Sequence, residues 1–259
     1  MPQWIALSRS EHSSQHVLPR DGYHHSAKQR VVPVLLAELS KLLPHYALGF
    51  IRQGESYAPV AVLGVQSNAY LAPDGRWFSP YIPALLRGYP FALAKADNDQ
   101  QVLAIDTAHL VNGPEGKPLF DEQGELSEHT RQVYDFLAQC EKNRLATQQA
   151  AETLAKHKPL VPWELVIGTD AEGGTPVKLD GLYRVDEQAL NALEPEALAA
   201  LRGGSLALVY AHLFSTAQHK ALADRVQFQA KYAEQGSNAP ANLDEVFGEG
   251  DDDLEFDFS

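Results

Sequence analysis

Residues 127–156 contain neither glycine nor proline, and Val133, Leu137, Cys140 and Arg144 mark one helical stripe with Tyr134 and Phe136 beside it. Such a run is a long amphipathic helix, closed by Pro159 and Pro162. Any fold of this chain must supply an apolar surface on which that stripe can lie. A sheet is the expected surface, because the other apolar runs come in pairs at hairpin spacing. Residues 46–52 and 59–65 flank Gln53-Gly54-Glu55-Ser56-Tyr57, residues 91–95 and 101–106 flank Asp97-Asn98-Asp99, and residues 163–167 and 177–185 flank a turn at 170–174. Strands joined so closely are antiparallel neighbours, since a parallel pair needs a longer crossover. The fold class expected is α+β: a largely antiparallel sheet from hairpins flanked by helices, with one long amphipathic helix.

Shorter helices complete the expected order. Residues 31–43 place Leu35, Leu39 and Leu42 on one helical face before Pro44. Ser79 is suited to cap a helix with Pro80 at its first position, ending at Gly88 and Pro90. Asp186 reads as an N-cap with a Val185–Leu190 hydrophobic staple, Pro195 restarts or kinks that helix, and Leu206, Val209, Tyr210 and Leu213 mark a last one. Beyond Glu234 small polar residues form a linker, and residues 243–259 mix acids with too few apolar side chains to build a core. The chain therefore divides into a single domain over residues 1–232 and a flexible linker with a disordered acidic C-terminal tail over 233–259.

Charge follows this division. The net charge of −13 falls to −4 once the nine acids beyond Lys231, the last basic residue, are set aside. No clustered Lys or Arg run is present to displace counterions, which excludes nucleic acid as a partner and disfavours an anionic membrane surface. The single cysteine, Cys140, permits neither an intrachain disulfide nor a thiolate-rich metal site. No secretory leader is legible and no stretch of about 20 apolar residues occurs, so a cytoplasmic protein without a transmembrane segment is expected.

Motifs for chemistry are sparse. A dinucleotide fingerprint, a phosphate-binding loop and a nucleophile elbow are all absent. His12 with His16, and His24 with His25, lie in loop-like text; His212 and His219 lie about two turns apart on one helix, where packing or surface polarity explains them. Residues 121–125 lack the order of a calcium loop. No catalytic residue, metal ligand or cofactor is predicted, which leans against an enzyme. Two segments carry recognition chemistry instead. Residues 75–91 hold five aromatics and three prolines; Trp77, Tyr81, Arg87 and Tyr89 form either a recognition surface or, the favoured reading, core packing on the sheet. In the tail, Phe247, Leu254, Phe256 and Phe258 are the candidate partner-binding residues, because Leu and Phe alternating with acids suit strand addition to a partner's sheet edge. A solubilising tail and a C-terminal export signal are other uses of that segment.

The run Val32-Pro33-Val34-Leu35, then Tyr57 to Gly64, Trp77 with Tyr81-Ile82-Pro83-Ala84-Leu85-Leu86-Arg87-Gly88-Tyr89-Pro90-Phe91, then Pro118-Leu119-Phe120-Asp121, Leu182 to Glu187 and Leu208 to Leu213, resembles the bacterial SapC family over about residues 1–220. The family takes its name from a member linked to a paracrystalline surface layer. The resemblance implies a non-enzymatic binding or assembly protein, related to the surface layer or its export, with a protein or peptide partner. Its gene neighbourhoods imply an alternative: a cytoplasmic accessory or modifying protein acting with flavin-dependent halogenase-like or cupin-like oxygenase partners on a peptide or amino acid. No catalytic residue set comes with the family, and a metal-dependent enzyme would rest on the scattered histidines alone.

Overall fold

The computed structural model describes residues 3–95, 100–167 and 177–235. In chain order the first elements are β1 (Trp4–Ala6), α1 (Arg9–His12), β2 (His16–Val17), β3 (Val31–Pro33), α2 (Leu39–Leu42), β4 (Leu48–Gln53) and β5 (Ser56–Val62). Then follow α3 (Ala84–Arg87), β6 (Phe91–Lys95), β7 (Gln101–Asp106), β8 (Leu110–Val111), β9 (Lys117–Pro118) and the long α4 (Glu128–Lys156). The remainder is β10 (Leu160–Pro162), β11 (Leu165–Ile167), β12 (Val177–Leu179), β13 (Leu182–Val185), α5 (Glu187–Asn191), α6 (Pro195–Ala200), α7 (Gly204–Ser215) and α8 (Gln218–Gln235).

All strand pairings are antiparallel. The larger sheet runs β10-β13-β4-β5-β3, a smaller one runs β1-β7-β6, and two short ribbons are β8-β2-β9 and β11-β12. The hairpins at 46–65 and 91–106 form as their sequences predict, the first with a tighter turn because Gln53 pairs directly with Ser56. Ser127 caps α4 by accepting from the Thr130 amide, and Asp186 caps α5 by accepting from the Gln188 and Ala189 amides. Pro195 opens α6 at its first turn.

Four expectations are corrected. Residues 31–33 are a strand, because the β-branched Val31 and Val32 pair with Val62 and Ala61, and this tertiary pairing outweighs the local helical period. The helix expected from Ser79 is only α3, preceded by Pro83, since a residue before proline is biased toward extended backbone. The hairpin over 163–185 is split: the Leu165 amide bonds back to the Trp163 carbonyl, and Gly181 takes φ +84°. These two breaks let β13 enter the larger sheet between β10 and β4, while β11 and β12 form their own ribbon. Finally, α7 is followed by another helix, α8.

Two cores result. The larger, around Tyr46, Phe50, Leu63, Tyr70, Leu154 and Leu208, is enclosed by the five-stranded sheet, α4 and α7. The smaller gathers Val17, Phe91, Leu103, Ile105, Leu119 and Leu137. Helix α4 serves both, because Leu137 packs in the smaller core and Ala150, Ala151 and Leu154 in the larger. It also secures the chain beside it. Thr147 Oγ1 accepts from the Leu36 amide at 3.0 Å and Asn143 Oδ1 from the Ala37 amide at 3.1 Å, satisfying donors at the start of the 3-10 turn Leu36–Glu38. Among the described residues no helix is long and apolar enough to cross a membrane.

Candidate functional site

A cleft of about 340 Å³ opens where β2, β9, the end of α3 and the first turns of α4 meet. Each wall has a local cause. The Val17–Lys117 register of the β2–β9 ribbon sets the Lys117 side chain at the rim. Gly88 lets the chain after α3 lie against α4, since a Cβ there would stand 2.6 Å from Leu137 Cδ2. Arg20 is held by donating Nη1 to the Arg87 and Tyr89 carbonyls at 2.6 and 3.2 Å and Nη2 to the Tyr23 hydroxyl at 2.6 Å. Its guanidinium lies 4.4 Å over the Tyr23 ring, so it is fixed by packing as well as hydrogen bonds.

The lining is cationic over an apolar floor. Arg20, Arg87, Lys117 and His129 share it with Val17, Pro19, Phe91 and Val133, and among the described residues no acid lines it. None of Arg20, Arg87 and Lys117 forms a salt bridge among the described residues. Lys117 Nζ approaches His129 Nδ1 at 3.4 Å. Burial and then this ammonium hold His129 below its ordinary value, so the imidazole faces the cleft as a neutral acceptor near pH 7. The arrangement suits a carboxylate or another anion attached to an apolar group.

Beside the cleft the side chains are braced by a partly buried polar chain. Tyr89 donates to Asp106 Oδ2 at 2.6 Å and meets His109 Nε2 at 3.1 Å. Burial would raise the Asp106 carboxyl, but the bonds it accepts from Tyr89, the Ala108 amide and the Gln3 amide hold it below the usual carboxylate range. Burial, then the Asp106 bond and charge, push the Tyr89 hydroxyl up to about 12. His25 stacks on Tyr89 with ring centroids 4.0 Å apart. Burial, with Arg20, His109 and His24 nearby, lowers it to about 4.

A second buried carboxylate acts as a structural clamp. Glu38 Oε2 accepts from the Tyr81 hydroxyl at 2.9 Å and the Ala84 amide at 2.8 Å, while Oε1 accepts from the Leu35 amide at 3.0 Å. Burial pushes this carboxyl up, opposed by those bonds and by the Arg87 charge, and burial together with Glu38 raises the Cys140 thiol. The cluster contains no activated nucleophile: a raised thiol stays protonated.

The four recognition candidates of residues 75–91 are thereby divided. Trp77 packs against the larger core and donates Nε1 to the Tyr46 hydroxyl at 2.8 Å. Tyr81 packs there too, with its hydroxyl on Glu38. Arg87 and Tyr89 line the cleft. Phe247, Leu254, Phe256 and Phe258 lie outside the described residues. Of the histidines, His212 is buried and donates Nδ1–H to the Leu48 carbonyl at 2.8 Å, whereas His219 is exposed beside the Thr216 carbonyl. His12 is buried against the backbone of Ser8. Among the described residues no three His, Cys, Asp or Glu side chains converge as metal ligands.

Arg20, Lys117 and His129 escaped the sequence reading, because nothing in their spacing brings four distant segments together. A separate exposed feature lies on α7, where Tyr210 and Phe214 are 50% and 72% exposed with their rings stacked 6.1 Å apart.

No curated protein and no solved structure matches this chain. The SapC family profile matches residues 7–222, which includes β2, the 75–91 segment, β9 and α4, and hence every wall of the cleft; the chain belongs to the SapC family.

Proposed function

We propose that this protein is a non-enzymatic binding or assembly protein whose cleft takes an acidic, partly apolar segment of a protein or peptide partner, with the surface layer or its export as the setting suggested by the family's name. The observation that carries this reading is the composition of the cleft: Arg20, Arg87 and Lys117, none of them in a salt bridge among the described residues, above the apolar floor of Val17, Phe91 and Val133. Cations left unpaired beside apolar surface favour a ligand that supplies both complements. Neighbouring titratable groups support an anchoring role, since Glu38 and Asp106 are occupied by backbone amides and tyrosine hydroxyls.

The test is titration of the full chain with labelled ten-residue peptides in which Phe and Leu alternate with Asp, with Lys or with Ser, followed by fluorescence anisotropy. The acidic series should bind saturably, weaken as salt is raised, and lose most of its affinity in the Arg87→Gln/Lys117→Gln variant. Equal binding of the acidic and basic series would overturn the reading. The alternative, an accessory protein for peptide tailoring, draws support from the strongly shifted Tyr89 and His25 next to the cleft. It predicts a change of peptide mass when a flavin-dependent halogenase-like or cupin-like oxygenase partner is added.

A further inference from the structure

The sequence of this chain carries a segment of the chemistry the cleft lacks. Residues 251–258 read Asp-Asp-Asp-Leu-Glu-Phe-Asp-Phe. In an extended conformation Leu254, Phe256 and Phe258 fall on one side and Asp253, Glu255 and Asp257 on the other. From this complementarity we infer that residues 251–258 are a tethered ligand of the chain's own cleft, occupying it until a partner segment of the same chemistry displaces them. The inference rests on the binding reading above.

Three considerations select this occupant. The first is charge: the segment is the densest acidic run of the chain, and the cleft presents Arg20, Arg87 and Lys117 with no acid in its lining among the described residues. The second is size. A cleft of about 340 Å³ accommodates an aromatic side chain with its flanking carboxylates, which suits a linear segment. The third is reach. Helix α8 ends at Gln235, so nearly twenty residues separate it from Leu254 and span roughly 60 Å when extended, against a diameter of roughly 45 Å for a domain of this length.

A tether of this length gives an effective concentration on the order of 1 mM, so a segment with a dissociation constant of about 0.1 mM in trans would occupy its own cleft about nine-tenths of the time. Added ligand then meets a competitor that lowers its apparent affinity about tenfold.

The experiment uses the full chain throughout and a fluorescent peptide copying residues 250–259 as probe. A variant carrying Leu254→Ser, Phe256→Ser and Phe258→Ser should bind the probe about tenfold more tightly than the parent protein, because the internal competitor is gone. Adding Arg87→Gln and Lys117→Gln to that variant should abolish the gain. Equal affinity of parent and tail variant would overturn the inference while leaving the cleft reading intact. Absence of binding by the probe, together with absence of binding by the unrelated acidic peptides, would overturn both. Binding that survives the cleft substitutions but is lost with Phe214→Ser would move the segment to α7 and overturn the inference. So would a parent protein that is dimeric by light scattering while its tail variant is monomeric, since the tail would then be exchanged between copies.

Discussion

Glu38 is a carboxylate that three donors need. If it becomes alanine, the buried Leu35 and Ala84 amides and the half-buried Tyr81 hydroxyl all lose their acceptor. Unmade bonds of this kind cost about 1–3 kcal/mol each, so Glu38→Ala should lower the unfolding free energy by about 3 kcal/mol or more in urea titration. Glu38→Gln should recover only part of it, because the amide keeps one acceptor oxygen and adds donors facing donors. His25 sets a different dependence. The unfolded chain takes up a proton at this residue near pH 6.5, whereas the folded protein refuses it until about 4. Stability therefore falls as pH drops through that interval, and the buried His212, also lowered, adds in the same sense. Glu38 opposes them: its raised carboxyl contributes stability below about 4.5 that is lost as pH rises. Melting temperatures of His25→Phe, which keeps a ring on Tyr89, should fall less steeply between pH 6.5 and 4 than those of the parent protein. A steeper fall would assign the acid sensitivity elsewhere.

At the scale of elements, the best-read piece is also the one most used. Helix α4 was legible because its period, its freedom from glycine and proline and its proline stop agree, and consistent local signals rarely mislead. Strand β3 was not, because Val31 to Pro33 continue a helical apolar period and only the pairing with β5 decides their state. Helix α8 had a signal that went unused: residues 205–235 contain no glycine or proline, so a second helix after α7 needed only a short break near Thr216. The cleft was legible at one wall. The 75–91 segment announced Arg87 and Tyr89, but Arg20, Lys117 and His129 enter from the segment after β2, from β9 and from α4, which no sequence spacing connects. What α4 contributes beyond packing is also hidden in sequence: Asn143 and Thr147 read as ordinary polar helix residues, yet they cap the 3-10 turn at Leu36. Thr147→Val keeps the shape and removes the acceptor; it should cost about 1–2 kcal/mol in denaturant unfolding, the scale of a lost helix cap. A neutral result would mean that the Leu36 amide finds another acceptor.

For the molecule as a whole, the question is whether two cores make two units. The smaller core alone is thin: six buried side chains around a three-stranded sheet and two-residue ribbon strands. It borrows rigidity from α4, whose far half is fixed in the larger core by Ala151 and Leu154, both fully buried. A continuous helix ties the two, because fraying it from the Leu137 end leaves Asn143 and Thr147 less able to hold the Leu36 turn. The cleft sits on the thin side, between the smaller core and the first turns of α4, so its geometry depends on that coupling. Leu137→Ala removes a contact from the smaller core and should destabilise the protein by about 2–5 kcal/mol. With the cores coupled, the loss should appear equally in tryptophan fluorescence, dominated by Trp77 and Trp163 packed against the larger core, and in far-ultraviolet circular dichroism, which sees every helix. Two separated transitions, with the fluorescence midpoint unmoved, would show that the smaller core unfolds alone. The cleft would then be built on a locally labile unit, and peptide binding should raise only the lower of the two midpoints.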